Sequence, residues 1–433
     1  MDITLSAGKA SGTTHIPSSK SQTIRALLIA AMAEGTSIIR NPLYSADTRA
    51  CMKLCEQFGA HLEYHDDRII LTSGTPSEGP LFIDCGNSGT TLYLGVGLAA
   101  RAGTPTTFTG DSQLRSRPVG ALLSSLADLG ASITDPSGNS GIPDTPPFTI
   151  TGPLKGGTTS IISTTSQYLS GLLIACTASE GDVVIEVPLL YEKPYVGITL
   201  DWLDRQNISY TASRSLDLFK VPGGQRFSPF DHYISGDFSS ASFFFCAAAV
   251  SGTSITVTGL DRNDPQGDKH ILDILSAMGC AVSWNTCAVT VTGPASGRLR
   301  AGSFDLNTMP DALPVLAVAA CFADGTVTLG NVPQARIKET DRIAVMYENL
   351  SAIGACIEEK EDGLTITGSS SLRGGIVSGH DDHRIIMAMA IASLRCSQPL
   401  TIQGIDAVSV TFPSFFTTFH ALYTTEEVHY EDI

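Results

Sequence analysis

Apolar and polar positions recur along the chain in a fixed order: an alanine-rich apolar stretch, a turn with Gly or polar residues, and a β-branched run. The first part has the composition of a buried helix and the last that of a strand. The pattern returns six times, about every 70 residues, which indicates a repeated supersecondary unit. The six stretches are LLIAAMAEGTSIIR at 27–40, GLAARAGTPTTFTG at 97–110, LLIACTASEGDVVIEV at 172–187, FCAAAVSGTSITVTG at 245–259, AVAACFADGTVTLG at 317–330 and MAIASLRCSQPLTIQG at 389–404.

A second, amphipathic helix pattern accompanies these stretches, with Leu and Met every three or four positions. A Gly closes it in four units, as in TRACMKLCEQFGAHLEY and GDKHILDILSAMGCAVSW, and a strand pattern follows. Each unit therefore reads strand, helix, strand, helix, strand. Three such units in one globule make an α/β domain, so the sequence predicts two domains of similar construction.

The first helix of every unit begins in a segment rich in Ser, Thr, Asn, Asp and Gly. N-capping alone explains any one of these segments. Repeats place their equivalent ends on one side of a domain, however, and helix N-termini attract anions. Six together therefore predict a cleft between two domains for a multiply anionic small molecule. The segments are PSSKSQTIR at 17–25, DCGNSGTT at 84–91, STTSQY at 163–168, SGDFSSAS at 235–242, TMPDALP at 308–314 and GHDDHR at 379–384.

The segment PQARIKETDR at 333–342 concentrates charge in an acidic chain, whose formal net charge is -16. An acidic surface disfavours nucleic acid and anionic membranes as partners, so an anionic ligand needs a local group of cations. On a helix start, Lys338 and Glu339 would share one face with Arg342. Two interpretations stay open at this point: a ligand site, or a solvated helix face with ion pairs inside the helix.

Other function classes are disfavoured by the rest of the sequence. No apolar run approaches the roughly 18 residues of a membrane span. The start MDITLSAGKA lacks the basic and apolar regions of a signal peptide, so we expect a cytoplasmic protein. Ten cysteines without zinc-like spacing favour reduced, buried thiols. The segment HDDH at 380–383 has metal-ligating residue types, but we expect neither a metal nor a cofactor.

Ten segments in this order resemble the enolpyruvyl transferases, and among them the branch that acts on shikimate 3-phosphate. The related branch that acts on UDP-N-acetylglucosamine has a Lys-Asn pair where this chain has Lys20 and Ser21, and a Cys near 110–117 that is missing here. The segments are SKSQTIRALL, GNSGTT, RSRPVGAL, TTSQYLSGLL, KPYVGITL, GDFSSASFF, PDALPVLAVAACFADGT, RIKETDRI, DDHRIIMAMAIA and VTFPSFF.

The resemblance implies an α/β fold of two inverse α/β domains, each of three βαβαββ repeats, joined by a two-strand hinge. Residues 19–234 would form the acceptor-side domain. Residues 1–18 with 235–433 would form the domain that carries the acid–base groups and the phosphoenolpyruvate clamp, with the active site in the cleft between them.

The resemblance also implies the reaction. The enolpyruvyl group of phosphoenolpyruvate moves to the 5-hydroxyl of shikimate 3-phosphate and phosphate is released, a step of the shikimate pathway to chorismate and the aromatic amino acids. Both partners are small molecules, and the family is mostly monomeric and uses no cofactor. Two alternatives stay open: an enolpyruvyl transferase with a different acceptor alcohol, and a homologue without turnover.

The resemblance assigns roles to residues of this chain. Catalysis would use Asp311, Glu339, Lys20 and His383. Phosphoenolpyruvate would bind Lys20, Gly89, Arg117, Gln167, Arg342 and Arg384. Shikimate 3-phosphate would bind Lys20, Ser21, Arg25, Thr165, Ser166, Gln167, Tyr195, Asp311, Gln334 and Lys338.

Four positions depart from the family pattern. Val410 stands where a Lys usually contacts the phosphate of phosphoenolpyruvate, and Glu192 where a Ser touches the acceptor phosphate. Gln334 replaces an Asn, and Tyr93 replaces an Arg. A carboxylate beside a phosphate is repulsive, so Glu192 is the departure that most favours a different acceptor.

Overall fold

The structure is a computed structural model and describes residues 1–76 and 78–424. Contacts divide the chain into two compact units. The first unit is Ser18–Ser235, and the second consists of Met1–Pro17 and the chain from Gly236 onward. Within the described residues, no helix has the length and apolar character needed to cross a membrane.

Helices account for most of the apolar stretches in the sequence. They are α1 (Lys20–Met32), α2 (Ala46–Gln57), α3 (Gly89–Arg101), α4 (Gly120–Asp128), α5 (Ser166–Cys176), α6 (Lys193–Arg205), α7 (Phe238–Ser251), α8 (Ile271–Ala277), α9 (Leu313–Ala320), α10 (Arg342–Ala352), α11 (His383–Ser393) and α12 (Phe415–Leu422). Short 3₁₀ turns cover Leu114–Ser116, Gly267–His270, Pro310–Ala312, Pro333–Ile337 and Ile405–Val410.

Strands lie between the helices and are mostly four or five residues long. They are β1 (Asp2–Leu5), β2 (Lys9–Ala10), β3 (Gly12–His15), β4 (Thr36–Arg40), β5 (His61–Tyr64), β6 (Arg68–Thr72), β7 (Leu81–Asp84), β8 (Thr106–Thr109), β9 (Ser132–Thr134), β10 (Phe148–Thr151), β11 (Gly157–Ser163), β12 (Val183–Leu190), β13 (Thr211–Ala212), β14 (Leu218–Val221), β15 (Asp231–Tyr233), β16 (Ser254–Thr258), β17 (Ala281–Asn285), β18 (Ala288–Thr292), β19 (Leu299–Asp305), β20 (Ala323–Gly330), β21 (Cys356–Lys360), β22 (Gly363–Thr367), β23 (Gly375–Ser378), β24 (Leu400–Gln403) and β25 (Tyr423–Thr424).

The first unit contains three four-stranded sheets with one common pattern. Their strand orders are β15-β4-β6-β5, β7-β8-β10-β9 and β11-β12-β14-β13. In each sheet the first two strands are parallel and the remaining pairs are antiparallel. A helix makes the crossover from β7 to β8 and from β11 to β12, as parallel pairing requires.

The second unit repeats this pattern with strands from both ends of the chain. Its sheets have the orders β17-β18-β16-β3, β19-β20-β22-β21 and β1-β24-β23, and β2 pairs with β25 in a further two-stranded sheet. The pairs β3 with β16, β19 with β20 and β23 with β24 are parallel. The predicted α/β class is confirmed.

Each unit has its own hydrophobic core, and the apolar helices lie within it. Helix α7 is buried at all fourteen positions, because its sequence FSSASFFFCAAAVS is small or apolar on every face. Phe244 of α7 packs against Phe412 and Phe415, with ring centroids 6.1 and 5.8 Å apart. Truncating a buried Phe to Ala lowers the free energy of unfolding by about 3–5 kcal/mol. Packing of this kind fixes the position of the helix and therefore of its N-terminus.

The polar segments that precede the first helices act as N-caps in five of six cases. The cap side chain accepts a hydrogen bond from the helix backbone at Ser19, Ser88, Thr165, Asp237 and Asp382. The exception is α9, which begins after the 3₁₀ turn Pro310–Ala312 without a side-chain cap. The carboxylate of Asp311 in that turn is therefore available for other contacts.

All ten cysteines are free thiols, and eight of them are buried. Burial raises the pKa of Cys280 to about 11 and that of Cys321 to about 12, because the thiolate is poorly solvated in the core. The two exposed cysteines are Cys287 and Cys356.

Candidate active site

Arg342 is the centre of a charged cluster in the second unit. Its Nη1 donates to Asp311 Oδ1 at 2.7 Å, its Nη2 to Glu339 Oε2 at 2.5 Å and its Nε to Asp382 Oδ2 at 2.8 Å. Arg342 is only 1% exposed. Three carboxylates from the starts of three helices therefore converge on one buried guanidinium.

Arg384 is the second arginine of this cluster. Its Nη2 lies 2.7 Å from Asp311 Oδ2, and its Nη1 donates to Ser239 Oγ at 2.6 Å. Asp311 thus bridges two arginines with its two oxygens. Asp311 does not cap α9, and its two oxygens contact the two arginines instead.

The electrostatics of the cluster follow from its composition. Burial alone would raise the pKa of Asp311, but Arg384 and Arg342 hold that pKa well below its usual range. Asp382 behaves in the same way: burial opposes ionisation, yet Arg342 lowers the pKa. Burial would lower the pKa of Arg342, and its three carboxylates raise it instead. Arg342, Asp311 and Asp382 are therefore ionised at neutral pH.

The segment RIKETDR is not the helix start that the sequence predicted. Pro333–Ile337 forms a 3₁₀ turn, and α10 begins only at Arg342. Asp341 fixes that start, since its carboxylate accepts a hydrogen bond from Ala344 N at 3.0 Å. Lys338 and Glu339 therefore lie in the turn before α10, and the prediction of a shared helix face was wrong. The contact between Glu339 and Arg342 forms across this turn.

Two more predicted residues lie in the second unit. His383 is buried at the start of α11, with Nδ1 3.9 Å from Asp382 Oδ1. Gln334 is buried in its 3₁₀ turn, and its Nε2 donates to Asn307 O at 3.0 Å. Lys338 is half-buried and adds to the positive field at Asp311.

Arg25 is the buried cation of the first unit and lies in α1. It donates from Nε to Thr199 Oγ1 at 2.9 Å, and its other nitrogens donate to Ser170 Oγ and to the carbonyl oxygens of Ser21 and Tyr195. These acceptors are all uncharged. Burial lowers the pKa of Arg25 to about 10, because no carboxylate forms an ion pair with it in the described part of the chain.

Lys20 is the first residue of α1, where Ser19 is the N-cap. Its Nζ lies 2.9 Å from Asp47 Oδ2, and both side chains are largely shielded from solvent. Asp47 belongs to the first turn of α2. The ammonium group is therefore held at the polar start of two helices.

Arg117 lies over the N-terminus of α3. It is 7% exposed and donates from Nη2 to Asn87 Oδ1 at 3.2 Å. A Cβ added at Gly89 would stand 2.5 Å from Arg117 Nη1 and 3.4 Å from Tyr93. Gly89 is thus needed for the close approach of the arginine to the helix start.

Tyr93 has a structural role at the position where the family has an Arg. Its hydroxyl donates to Pro118 O at 2.9 Å, and that of Tyr168 donates to the same oxygen at 2.6 Å. The two rings pack edge to face, with centroids 5.2 Å apart. Burial raises the pKa of Tyr168 to about 12. This pair fixes the chain directly after Arg117.

Glu192 lies against the N-terminus of α5. Its Oε2 accepts hydrogen bonds from Ser166 Oγ at 2.7 Å, Ser166 N at 3.1 Å and Thr165 Oγ1 at 3.4 Å. The residues predicted to hold the acceptor phosphate therefore hold a carboxylate of the protein itself. Gln167 follows them in α5 and is half-buried.

Residues 6–419 match the sequence model of one family, described as EPSP synthase (3-phosphoshikimate 1-carboxyvinyltransferase). The chain belongs to the EPSP synthase family. The resemblance expected from the motifs is confirmed, and the protein is a transferase.

Several proteins named 3-phosphoshikimate 1-carboxyvinyltransferase are similar over nearly their whole length. The one from Ruminiclostridium cellulolyticum is 44% identical over 407 residues, which cover 94% of each chain. The one from Acetivibrio thermocellus is 45% identical over 409 residues, covering 94% of this chain and 95% of the relative. A solved EPSP synthase from Acinetobacter baumannii has a TM-score of 0.81 at 26% identity and covers 98% of both chains.

The predicted residues fall into clusters on this EPSP synthase scaffold. The second unit brings Asp311, Glu339, Arg342 and Arg384 into direct contact and places Lys338 and His383 beside them. The first unit brings together Arg25 with Ser21 and Tyr195, and Gly89 with Arg117. Gln334 instead donates a hydrogen bond to the turn at Asn307.

Several residues of these clusters were missed from the sequence, among them an Asp or a Ser beside three of the cations. Asp382 contacts Arg342, Asp47 contacts Lys20, and Ser239 contacts Arg384. For Asp382 and Ser239 the signal was present, because both lie in helix-start segments of the repeat. For Asp47 the signal was the polar run SADTR at the start of a second helix, which we did not consider.

Proposed function

We propose that the protein transfers the enolpyruvyl group of phosphoenolpyruvate to the 5-hydroxyl of shikimate 3-phosphate and releases phosphate. The observation that carries this proposal is the contact of Arg342 with Asp311 and Glu339. It places a carboxylate-binding cation beside two groups able to exchange protons, as an acid–base addition to phosphoenolpyruvate needs. Membership of the EPSP synthase family supports the same reaction.

Phosphoenolpyruvate offers a carboxylate and a phosphate, and the arginines suit both. In the proposal, Arg342 and Arg384 bind the carboxylate, since a guanidinium fork matches two carboxylate oxygens. Arg117 binds the phosphate above Gly89, with Lys20 and Gln167 beside it. The close packing of Arg117 on Gly89 supports this assignment, because any side chain at 89 would push the arginine away.

The proposed chemistry uses Glu339 as the acid and Asp311 as the base. Glu339 gives a proton to the methylene carbon of phosphoenolpyruvate while the 5-hydroxyl attacks the neighbouring carbon and Asp311 takes the hydroxyl proton. Phosphate then leaves the tetrahedral intermediate, and a proton on the methyl carbon returns to Glu339, restoring the double bond. His383 and Lys20 assist these proton transfers.

The two arginines would also control Asp311. Burial would raise the pKa of Asp311, but these two arginines hold it low. When the substrate carboxylate takes over Arg342 and Arg384, Asp311 loses part of this stabilisation and its proton affinity rises. Binding of phosphoenolpyruvate would therefore make Asp311 a better base.

For the acceptor, Arg25 is the main cation of the proposal. It binds the carboxylate of shikimate 3-phosphate, because it is buried beside uncharged partners and gains a counterion on binding. Ser21 and Tyr195 are its neighbours and contact the acceptor ring, and Gln334 and Lys338 are further acceptor-binding residues of the proposal. Thr165, Ser166 and Gln167 would take the acceptor phosphate at the start of α5.

The proposal includes a monomer that works in the cytoplasm and uses no cofactor, since both proton transfers are made by side chains. Val410 ends the 3₁₀ turn Ile405–Val410 and is half-buried. The prediction that a missing cation at this position weakens binding of phosphoenolpyruvate remains to be tested with the variant V410K.

The test is to incubate the protein with phosphoenolpyruvate and shikimate 3-phosphate, to follow phosphate release and to identify the product by mass. We expect the enolpyruvyl adduct together with phosphate. The matched variant E339Q should lower kcat by about 10²–10⁴-fold with little change in thermal stability, because only the transferable proton is lost. Binding of phosphoenolpyruvate without any product would contradict the proposed acceptor and point to a different alcohol.

A further inference from the structure

The carboxylate of Glu192 occupies a set of donors built for an anion. Its Oε2 accepts hydrogen bonds from the backbone N–H and the hydroxyl of Ser166 and from the hydroxyl of Thr165. Glu192 is only 2% exposed. A backbone N–H at a helix start together with hydroxyl groups is a common set of ligands for a phosphate oxygen.

The backbone at Glu192 has an uncommon conformation. Glu192 has φ 56° and ψ 41°, the left-handed region that few residues other than Gly, Asn and Asp adopt. It precedes α6, but its side chain makes no capping hydrogen bond with that helix. The carboxylate turns instead to the start of α5, which lies beside it because β11 and β12 are parallel neighbours.

These donors are the ones that the proposed function gives to the phosphate of shikimate 3-phosphate, and the inference below rests on that proposal. One oxygen of Glu192 already uses all three donors. A phosphate cannot bind the same groups while the carboxylate remains, since two anions in contact repel each other.

We infer that Glu192 occupies the acceptor phosphate position in the free protein and is displaced when the acceptor binds. It is a specificity-determining residue: the phosphate must compete with an internal anion, and only an acceptor with further contacts, such as that to Arg25, succeeds. The apparent affinity for the acceptor is then lowered, because only the fraction of molecules in which Glu192 has moved away can bind it.

The test compares two ligands that differ only in the phosphate, shikimate 3-phosphate and shikimate, by calorimetric titration of the wild type, E192Q and E192A. E192Q keeps the size of the side chain and removes its charge. We expect both variants to bind shikimate 3-phosphate at least tenfold more tightly, and shikimate within about twofold of the wild type. In turnover, the KM for shikimate 3-phosphate should fall while kcat and the KM for phosphoenolpyruvate change less than about twofold.

E186Q is the matched control, because Glu186 is exposed on β12 and its loss changes the net charge equally. It should leave both affinities within about twofold. A general electrostatic effect would instead strengthen binding in E186Q as well, and this would overturn the inference. If E192A does not fold, the binding test uses E192Q alone, and its melting temperature shows whether that variant is folded.

The remaining outcomes separate the inference from the proposed function. Equal or weaker binding of shikimate 3-phosphate to E192Q, with normal turnover in the wild type, overturns the inference alone. A gain that is the same for shikimate also overturns it, since the phosphate would then not be involved. No binding of shikimate 3-phosphate to any of the proteins contradicts the proposed function, and the inference falls with it.

Discussion

Arg25 and Arg342 are both 1% exposed, yet their surroundings are opposite. Arg25 in the first unit donates only to hydroxyl and carbonyl oxygens, and burial lowers its pKa to about 10. Arg342 in the second unit donates to three carboxylates, which raise its pKa although burial opposes this. Among the residues that the structure describes, Arg25 has no counterion and Arg342 has three.

This difference separates two ways of preparing a cation for an anionic substrate. In the proposed function, Arg25 would gain a counterion from the ligand, so binding would relieve the cost of burying its charge. Arg342 would exchange internal carboxylates for the carboxylate of the substrate, so binding would change the proton affinity of those carboxylates instead. The first arrangement would serve affinity and the second would serve chemistry.

Replacing each arginine by Gln tests the difference between their surroundings, and R342Q should have the largest effect on the free energy of unfolding. It removes the cation shared by Asp311, Glu339 and the fully buried Asp382, so the free energy of unfolding should fall by about 3–5 kcal/mol. Urea unfolding measures this change. The surface variant R205Q removes an ion pair with Asp201 that is half exposed and should cost no more than about 1 kcal/mol. A loss in R342Q as small as that in R205Q would contradict the cluster.

R25Q should show the reverse balance. It removes an uncompensated charge, and the loss of its hydrogen bonds should lower the free energy of unfolding by only about 1–2 kcal/mol. The affinity for shikimate 3-phosphate should fall by about 10–100-fold, because the ligand carboxylate loses its counterion. Calorimetric titration measures the affinity, and R25K shows whether charge alone suffices. Losses of stability equal to those in R342Q would remove the distinction between the two arginines.

The carboxylate of Asp311 should make the stability of the protein depend on acid pH. The pKa of Asp311 is below its unfolded value, so the unfolded chain binds more protons, and stability is lost as pH falls below about 5. D311N lacks this proton uptake. Between pH 7 and pH 3 its free energy of unfolding should therefore fall by about 1–2 kcal/mol less than that of the wild type. Urea unfolding at the two pH values measures both losses. The exposed control D66N should behave as the wild type.

G89A should have the smallest effect and concerns a third buried arginine. The added Cβ would meet the tip of Arg117, a flexible side chain that can shift. The KM for phosphoenolpyruvate should therefore rise about three- to tenfold, while the free energy of unfolding changes by less than about 1 kcal/mol. G103A is a suitable control, because a Cβ there meets no atom within 4 Å. An unchanged KM would show that Arg117 does not hold this substrate.

The repeating part of the molecule was predictable from the sequence. Helix and strand patterns depend on residues close in the chain, and the six apolar stretches fall on α1, α3, α5, α7, α9 and α11 with the strands that follow them. The motifs indicated Asp311, Glu339, Arg342 and Arg384 of the second-unit cluster, but not Asp382 or Ser239. They did not indicate which side chains contact each other, since Arg342 is separated in sequence from its partners Asp311 and Asp382 by 31 and 40 residues.

Local chemistry also misled at two places. Charges at three- and four-residue spacing in RIKETDR are typical of a helix, but the Asp341 cap delays the helix to Arg342. Glu192 was expected to lie near the acceptor phosphate, yet nothing in the sequence predicted that it would adopt a left-handed backbone and occupy the donors itself. Both features depend on contacts that form only when separate segments fold together.

The distribution of thiols makes the protein suitable for site-specific labelling. Cys287 and Cys356 are exposed, whereas the other eight cysteines are shielded in the cores of the two units. A maleimide dye or spin label would therefore react first at these two positions under native conditions and at the rest only on unfolding. Exchanging both for Ser gives a background with no exposed thiol, in which a single new cysteine could report on any chosen surface.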